Sequence, residues 1–273
     1  MSKNKLKTRT ITGLLYGIVF ISSLILGELS SSLFFLTVML IGVKEFYSLV
    51  KDEKTNPNVY LGMLISLGLF VTSFLYFKSF ELAKISFATT SFLVLVVFIN
   101  ELFRKEYSSY HNIGITLMGV IYVSIPMSLT FFLSYNDAKQ YEYMLLLSVF
   151  ILIWMSDIGG YFAGVNFGKH KLLERISPKK SWEGVLGGFI LCVISSVIIS
   201  RFVTSLDLLE WVGLGVIICI SSVIGDLIES MIKRTANVKD SGTILPGHGG
   251  ILDRFDSALL VIPVVYIYTI LIS

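Results

Sequence analysis

Two carboxylates and a hydroxyl lie inside a strongly apolar stretch near the end of the chain. Asp226, Glu229 and Ser230 fall in "GVIICISSVIGDLIESMIKR" at spacings of three and four residues, so a helix would present them on one face. Asp253 and Asp256 repeat the spacing of three residues at the start of the next apolar stretch. A carboxylate at the centre of a bilayer costs at least about 2.5 kcal/mol, so such residues usually face a polar cavity or a partner.

Clustered carboxylates close to Lys and Arg have two common uses in a membrane. They can bind a hard divalent cation that keeps open positions for substrate phosphates. They can also relay protons or sodium ions in a transporter. For Asp256 alone, an ordinary acid at a helix N-terminus explains the residue equally well, because the helix dipole favours negative charge there. That explanation does not extend to four carboxylates on two apolar stretches.

The polar segment between these stretches favours the cation-and-phosphate interpretation. It reads "KDSGTILPGHGGILDRFD" (residues 239–256, the signature segment) and contains four glycines and five charged residues. A glycine-rich backbone such as "GHGG" can approach an anion closely. A phosphate site needs both metal-binding acids and cations. The cations within or next to the segment are Lys233, Arg234, Lys239 and Arg254.

A second polar segment, "FGKHKLLERISPKKSWEG" (residues 167–184), has a similar character. We expect "SPKKSWEG", with Lys179 and Lys180, to form a second wall of the same site. Lys169, Lys171 and Arg175 are typical of positive charges that lie at anionic lipid headgroups.

The composition identifies the elements that must position these residues. The chain has 273 residues, of which 54% are hydrophobic and 15% charged, against about 25% charged in soluble domains. We predict an all-α polytopic membrane protein, because backbone groups in lipid must be paired within helices. Nine apolar segments are long enough to span the membrane: 11–27, 30–49, 59–77, 83–103, 112–134, 143–166, 184–204, 209–232 and 256–272. The short "KSFELAK" leaves open whether the third and fourth both cross.

The distribution of basic residues orients these spans. With the N-terminus in the cytoplasm and the C-terminus outside, cytoplasmic segments hold 18 of the 22 Lys and Arg residues. This asymmetry is what the positive-inside rule predicts, and it assigns both polar segments to the cytoplasmic face of the cell membrane. The net charge of +3 gives no reason to expect nucleic acid. We predict one membrane domain, with scaffold helices in 1–142 and catalytic helices in 143–273.

The residues of the signature segment carry a resemblance to a known family. "SMIKRTANVKDSGTILPGHGGILDRFD" (230–256) resembles the signature of the phosphatidate cytidylyltransferases, or CDP-diacylglycerol synthases, with every fixed position filled. "SDIGGYFAGVNFGKHKL" and "ISPKKSWEG" are similar to the second region of that family. There the family more often has Asp-Thr-Gly/Ala-Ala-Tyr-Phe, so this chain departs at Ile158 and Gly159. Strong resemblance covers about residues 150–260.

The resemblance implies an activity and a cofactor. Members of the family transfer a cytidylyl group from CTP to phosphatidic acid at the cytoplasmic face, which gives CDP-diacylglycerol and pyrophosphate. They require Mg²⁺, with a second cation such as K⁺ at a paired site, and they can form homodimers. Phospholipid biosynthesis in the membrane is the implied context.

On this basis we predict roles for individual residues. The predicted metal ligands are Asp226, Asp253 and Asp256, which together with Lys233 form the catalytic set. The predicted contacts to CTP or phosphate are Arg234, Lys239, Arg254, His248, Gly249 and Gly250, with Ser230, Lys179 and Lys180 as further candidates. Asp240 and Glu229 are expected to orient these cations.

Other functions remain open on the sequence. A CTP-dependent lipid kinase, or a cytidylyltransferase that acts on an isoprenoid lipid, would carry related features. A secondary transporter would also have carboxylates near the bilayer midplane.

Overall fold

The structure, a computed structural model, describes residues 3–52, 55–105, 109–136, 138–244 and 249–272, with side chains from residue 12 onward. Most of this part of the chain is helical. The elements in chain order are α1 (Lys3–Ile25), α2 (Glu28–Val50), α3 (Val59–Lys78), α4 (Phe80–Leu102), α5 (Ser109–Gly119), a π-helical turn (Val120–Ser124), α6 (Ile125–Leu129), α7 (Met144–Phe167), β1 (Lys171–Leu173), β2 (Ser177–Ser181), α8 (Trp182–Ile199), α9 (Leu208–Thr235), α10 (Leu252–Phe255) and α11 (Ala258–Ile272).

Eight segments of the described chain are long and apolar enough to cross a membrane, which confirms the prediction of a polytopic helical protein. They are α2, α3, α4, Ser109–Leu129, α7, α8, α9 and Leu252–Ile272. The first predicted span coincides with α1, of which Thr12–Ile25 is described with side chains and is an apolar helical stretch. The count of nine spans and the orientation of the termini therefore stay predictions.

Helices α3 and α4 each have the length and composition of a span, although only Ser79 separates them. The Ser79 side chain accepts a hydrogen bond from the Leu82 amide at 3.4 Å, as an N-cap does. At the start of α3, the Asn58 side chain accepts one from the Leu61 amide at 3.1 Å. The two helices thus begin at residues that satisfy otherwise unpaired amides.

The fifth predicted span is one continuous segment with an irregular centre. A π-helical turn joins α5 to α6 directly before Pro126. Proline lacks a backbone N–H and interrupts the regular helical hydrogen bonds, so a local change of helix type at this point is expected.

A two-stranded antiparallel sheet is an addition to the all-α prediction. Strands β1 and β2 pair Lys171 with Ser181 and Leu173 with Ser177. The hairpin occupies most of the second polar segment, between α7 and α8. From the sequence alone, this segment is predicted to be a polar loop.

The chain divides into two compact units, which we name by their main parts. The N-terminal unit comprises Met1–Phe132, Asp137–Tyr141 and Asp240–Arg254. The C-terminal unit comprises Leu133–Asn136, Glu142–Lys239 and Phe255–Ser273. The division into scaffold helices (1–142) and catalytic helices (143–273) stays a prediction. Most of the signature segment, however, belongs to the N-terminal unit.

Helices α7 and α8 approach each other through small residues. A Cβ atom on Gly159 would lie 2.5 Å from the carbonyl oxygen of Gly187, and one on Gly188 would lie 2.7 Å from that of Ser156. Small residues let membrane helices pack backbone to backbone, which replaces the hydrophobic driving force that lipid does not provide. This close pairing fixes the helices that carry Asp157 and support the hairpin.

Candidate active site

The polar face of α9 is formed as the sequence predicts. Ser230 Oγ donates a hydrogen bond of 3.1 Å to Asp226 Oδ1. One turn further along, Glu229 and Lys233 form a buried ion pair across four residues. Spacings of three and four residues on a helix bring such side chains together. Asp226 itself is half-buried.

The β-hairpin brings a cation to this face. Lys180 Nζ lies 2.7 Å from Asp226 Oδ2, and both side chains are about one quarter to one third exposed (26% and 31%). The next residue, Ser181, caps α8 by accepting a hydrogen bond from the Gly184 amide at 3.2 Å. The pairing of Lys180 with Asp226 supports the prediction that "SPKKSWEG" is a second wall of the site.

The carboxylate of Glu183, the second residue of α8, holds the base of the hairpin. Glu183 accepts hydrogen bonds from the amides of Lys169 (3.1 Å) and His170 (3.2 Å), and its Oε1 lies 2.6 Å from His170 Nδ1. The Trp182 amide donates to the His170 carbonyl at 2.9 Å. These contacts fix the strand that presents Lys180.

Asp256 reaches the same cluster from the last span. A Cβ atom on Gly225 would lie 2.9 Å from the Asp256 carbonyl oxygen, so the chain at Asp256 passes directly against the residue before Asp226. The Ser257 amide donates to Asp256 Oδ1 at 2.7 Å. Asp256 interacts electrostatically with three other carboxylates: Asp226, Glu229 and Asp157. The missing Cβ atom of Gly225 lets the backbone at Asp256 come this close to α9. No feature of the sequence distinguishes Gly225 from the other glycines.

A cavity of about 400 Å³ opens beside these residues. It is lined by Ser156, Asp157, Gly160, Tyr161, Gly164, Val165, Lys179, Lys180, Ser181, Gly184, Val185, Gly188, Val223 and Asp226. Its walls therefore come from α7, β2, α8 and α9. Two carboxylates and two lysines face a lining that is otherwise small or apolar, which is the composition of a site for a substrate with both charged and apolar parts.

The signature segment is held by Asp253 within the N-terminal unit. Asp253 Oδ2 accepts hydrogen bonds from the Ser241 amide (2.8 Å), the Ser241 hydroxyl (2.9 Å) and the Gly250 amide (2.8 Å). The Gly250 amide, predicted to face phosphate, thus binds a carboxylate of the chain instead. Gly249 has a positive φ of 88°, which glycine adopts without strain.

Glu45 on α2 is a second carboxylate that contacts the signature segment, and the sequence analysis missed it. Its two oxygens accept hydrogen bonds of 3.0 Å from the amides of Ile251 and Leu252. The sequence does show that Glu45 lies inside the predicted apolar span 30–49. A carboxylate within an apolar span is also the signal that indicates a role for Asp226.

Five of the remaining predicted residues are exposed, and the sixth lies outside the described residues. Arg234 is exposed, and its Nη1 donates to the Val238 carbonyl at 3.0 Å. Lys179, Lys239, Asp240 and Arg254 are exposed as well. His248 lies outside the described residues. The structure thus groups Lys180, Asp226, Glu229, Ser230, Lys233 and Asp256 in the C-terminal unit, and Asp240, Gly249, Gly250, Asp253 and Arg254 in the N-terminal unit.

Comparison with known proteins matches the whole chain to one family. The model of the "Cytidylyltransferase family" matches residues 7–272. The chain belongs to the cytidylyltransferase family. The family prediction made from the signature segment is therefore confirmed.

Curated relatives of this family are similar over nearly their full length. The phosphatidate cytidylyltransferase of Bacillus subtilis (strain 168) is 33% identical over 275 residues, which cover 98% of this chain and 99% of the relative. That of Staphylococcus haemolyticus (strain JCSC1435) is 36% identical, with 97% and 99% covered. That of Staphylococcus aureus (strain COL) is 34% identical, again with 97% and 99% covered.

The carboxylates of this cytidylyltransferase family member can be tested for their fit to Mg²⁺. Within the described ranges, no three His, Cys, Asp or Glu side chains converge where they could hold a metal ion by themselves. Mg²⁺ usually binds through one or two carboxylates, with waters and substrate phosphates as the other ligands. Asp226 and Asp256 provide two carboxylates with hard oxygen donors, and one of them, Asp226, is paired with Lys180 in this structure. This donor set fits Mg²⁺ when the substrate completes it.

Proposed function

We propose that the chain is a phosphatidate cytidylyltransferase, which converts CTP and phosphatidic acid to CDP-diacylglycerol and pyrophosphate. The observation that carries the proposal is the similarity to enzymes of that name over at least 97% of this chain. The group of lysines and carboxylates at the cavity supports it, because the reaction joins two highly charged phosphates. Phospholipid biosynthesis is the corresponding process.

In the proposed reaction, an oxygen of the phosphatidate phosphate attacks the α-phosphorus of CTP. The bond from that phosphorus to the oxygen of the β-phosphate breaks, and pyrophosphate leaves with the electron pair. A phosphate monoester is largely ionised near neutral pH, since its second pKa is about 6. The nucleophile therefore needs no strong general base. The residues of the site must mainly align two anions and offset their repulsion.

We assign this task to residues around the cavity. Lys179 and Lys180 attract phosphate oxygens, and Lys180 would move from Asp226 to the substrate. Asp226 and Asp256 would hold Mg²⁺, with Ser230 orienting Asp226 through its hydrogen bond. When bound, Mg²⁺ supplies positive charge that neutralises the phosphates in the transition state. A K⁺ ion as a second cation, and metal binding by Asp253, stay predictions.

The buried pair of Lys233 and Glu229 has a different proposed role. Lys233 is only 8% exposed, so we assign it to the positioning of the α9 face rather than to direct contact with phosphate. Exposed Arg234, Lys239 and Arg254 are better suited to bind CTP, with Asp240 orienting them. Gly249 and His248 remain predicted neighbours of the nucleotide.

The membrane arrangement is part of the proposal. The basic residues favour nine spans, a cytoplasmic N-terminus, an external C-terminus and a cytoplasm-facing site in the cell membrane. Phosphatidic acid would enter the cavity from the inner leaflet, and CTP from water. The cavity lining includes exposed Tyr161 and Val165 of α7, which supports entry from the lipid side. A homodimer stays a prediction.

One experiment separates this function from the alternatives. The purified full chain is incubated in detergent with phosphatidic acid, Mg²⁺ and CTP labelled at the α- or the γ-phosphate. Transfer of the α-label to lipid supports the proposal, whereas transfer of the γ-label indicates a CTP-dependent lipid kinase. An isoprenoid phosphate as second substrate tests the other transferase.

Loss of product with a chelator, and its return with Mg²⁺, tests the cofactor. Uptake of solute by liposomes without use of CTP would indicate a transporter.

A further inference from the structure

Glu45 is a buried carboxylate within an apolar helix, 7% exposed, and the donors that it contacts belong to the signature segment. Its Oε1 accepts from the Ile251 amide, and its Oε2 accepts from the Leu252 amide, each at 3.0 Å. The Ser241 hydroxyl lies 3.3 Å from the same Oε2. Each oxygen of the carboxylate is therefore used by the segment.

The glycines of the segment leave the space that Glu45 occupies. A Cβ atom on Gly242 would lie 2.6 Å from Glu45 Oε1, and one on Gly250 would lie 2.6 Å from the same oxygen. Any larger residue at either position would push the carboxylate away or displace the backbone. Gly250, which the sequence predicts for phosphate binding, thus has a different explanation in this structure, and Gly242 has the same one.

Ser241 joins Glu45 to the second carboxylate that holds the segment. Its hydroxyl lies 2.9 Å from Asp253 Oδ2 as well as 3.3 Å from Glu45 Oε2. Asp253 in turn accepts from the Gly250 amide. The described stretches 240–244 and 249–254 are therefore connected to each other and to α2 through two carboxylates and one hydroxyl.

This arrangement gives a physical reason for a fixed segment. A buried carboxylate without donors loses its solvation, so any movement that removes the Ile251 and Leu252 amides from Glu45 is costly. Hydrogen bonds to a charged acceptor are also about twice as strong as neutral ones. Arg254, one of the cations that we assign to CTP, is the last residue of the stretch 249–254 that Glu45 and Asp253 hold.

We propose that Glu45 is a positioning residue, which fixes the described stretches 240–244 and 249–254 so that Arg254 meets CTP in one arrangement. The proposal rests on the proposed function for its kinetic consequences. Its structural part, the fixing of the segment, does not depend on that function. Glu45 itself contacts no substrate in this role.

The first test replaces Glu45 by glutamine, which has nearly the same size. One carboxylate oxygen then becomes an NH₂ group, which cannot accept the hydrogen bond of the backbone N–H that it faces. We expect the KM for CTP to rise about tenfold, and the KM for phosphatidic acid to change by less than about twofold. The matched control is Glu101→Gln. Glu101 is also a buried acid of the N-terminal unit, 5% exposed, and accepts from Asn112 Nδ2 at 2.7 Å, away from the segment. The Glu101→Gln variant should leave the KM for CTP unchanged.

The outcomes separate positioning from a merely structural role. If Glu45→Gln lowers the unfolding temperature as Glu101→Gln does and leaves the KM for CTP at the wild-type value, the proposal is overturned. Hydrogen exchange of the Ile251 and Leu252 amides provides a measurement without substrate. Faster exchange in Glu45→Gln supports the proposal, and unchanged exchange contradicts it. If the wild type forms no CDP-diacylglycerol, the proposed function fails, while the exchange result still decides whether Glu45 fixes the segment.

A double-mutant cycle tests the contact itself. Gly242→Ala alone should raise the KM for CTP by about tenfold or more, because the new methyl group meets the Glu45 carboxylate. In a Glu45→Ala background the carboxylate is gone, and the Cα atom of Gly250 at 3.3 Å is the remaining close neighbour, so Gly242→Ala should add less than about twofold. Full additivity of the two changes would show that Gly242 and Glu45 act independently, which overturns the proposal.

Discussion

Glu45 and Asp253, in the N-terminal unit, accept hydrogen bonds from backbone amides and a serine hydroxyl, whereas Asp226 and Glu229, in the C-terminal unit, are paired with lysines. Uncharged backbone donors belong to the chain and cannot leave without local unfolding. A lysine side chain on a long flexible stem can be exchanged for another cation. The first unit thus uses two of its acids to hold a segment, whereas in the second we propose that Asp226 serves the chemistry.

Replacing Glu229, an acid of a buried ion pair, should give the largest loss of stability. Glu229 and Lys233 are 1% and 8% exposed, so Glu229→Gln leaves a buried ammonium without its partner. We expect the free energy of unfolding to fall by about 3–5 kcal/mol. The double variant Glu229→Leu/Lys233→Met should recover much of this loss, because neither charge is then buried alone. Chemical unfolding in detergent measures both, and a single variant as stable as the wild type would contradict the expectation.

Asp226 tests the proposed chemical role. Asp226→Asn should lower the turnover number by about a hundredfold or more. Its effect on the unfolding midpoint should be small, because the ion pair with Lys180 is partly exposed. Formation of CDP-diacylglycerol from labelled CTP gives the rate. Asp207→Asn is the control on the same helix, since Asp207 is exposed at the start of α9. Near-normal turnover of Asp226→Asn would refute the assignment.

Asp253 provides the direct contrast with Asp226. Asp253→Asn weakens the acceptor of three hydrogen bonds, so the free energy of unfolding should fall by about 1.5–3 kcal/mol. The order matters more than the values, with Asp253→Asn less stable than Asp226→Asn. The reverse order would mean that the two units do not differ in how they use their acids. Near-normal turnover with Mg²⁺ would also exclude metal binding by Asp253.

Breaking an exposed ion pair should give the smallest loss of stability. Lys84 Nζ lies 2.9 Å from Glu81 Oε1, but the two side chains are 55% and 78% exposed. Lys84→Gln should therefore change the free energy of unfolding by less than about 1 kcal/mol, as is usual for surface pairs. A larger loss in the same unfolding assay would show that pairing alone, and not burial, governs these effects.

Local features of the site were predictable because they depend on spacing along one helix. The contact between Ser230 and Asp226 follows from an interval of four residues, and so does the pair of Glu229 and Lys233. The family followed from the side chains of the signature segment, which are read without knowledge of the fold. Apolar length was sufficient to locate the helical segments from α2 to α9 to within about five residues at each end.

Contacts between distant parts of the chain were not predictable in the same way. Glu45 meets Ile251 across 206 residues, and no periodicity links them. Lys180 was a candidate, but its partner depends on the register of a hairpin that the sequence did not reveal. The approach of Asp256 to Asp226 depends on a single missing Cβ atom, at Gly225.

The sequence by itself determined the class of protein, the helical stretches, the family and most of the residues that carry charge at the site. These depend on composition, on local periodicity and on side-chain chemistry. Only the tertiary structure decided which donors each carboxylate receives. A carboxylate has the same sequence signal whether a lysine or a backbone amide satisfies it, and that choice depends on how the helices and the hairpin pack.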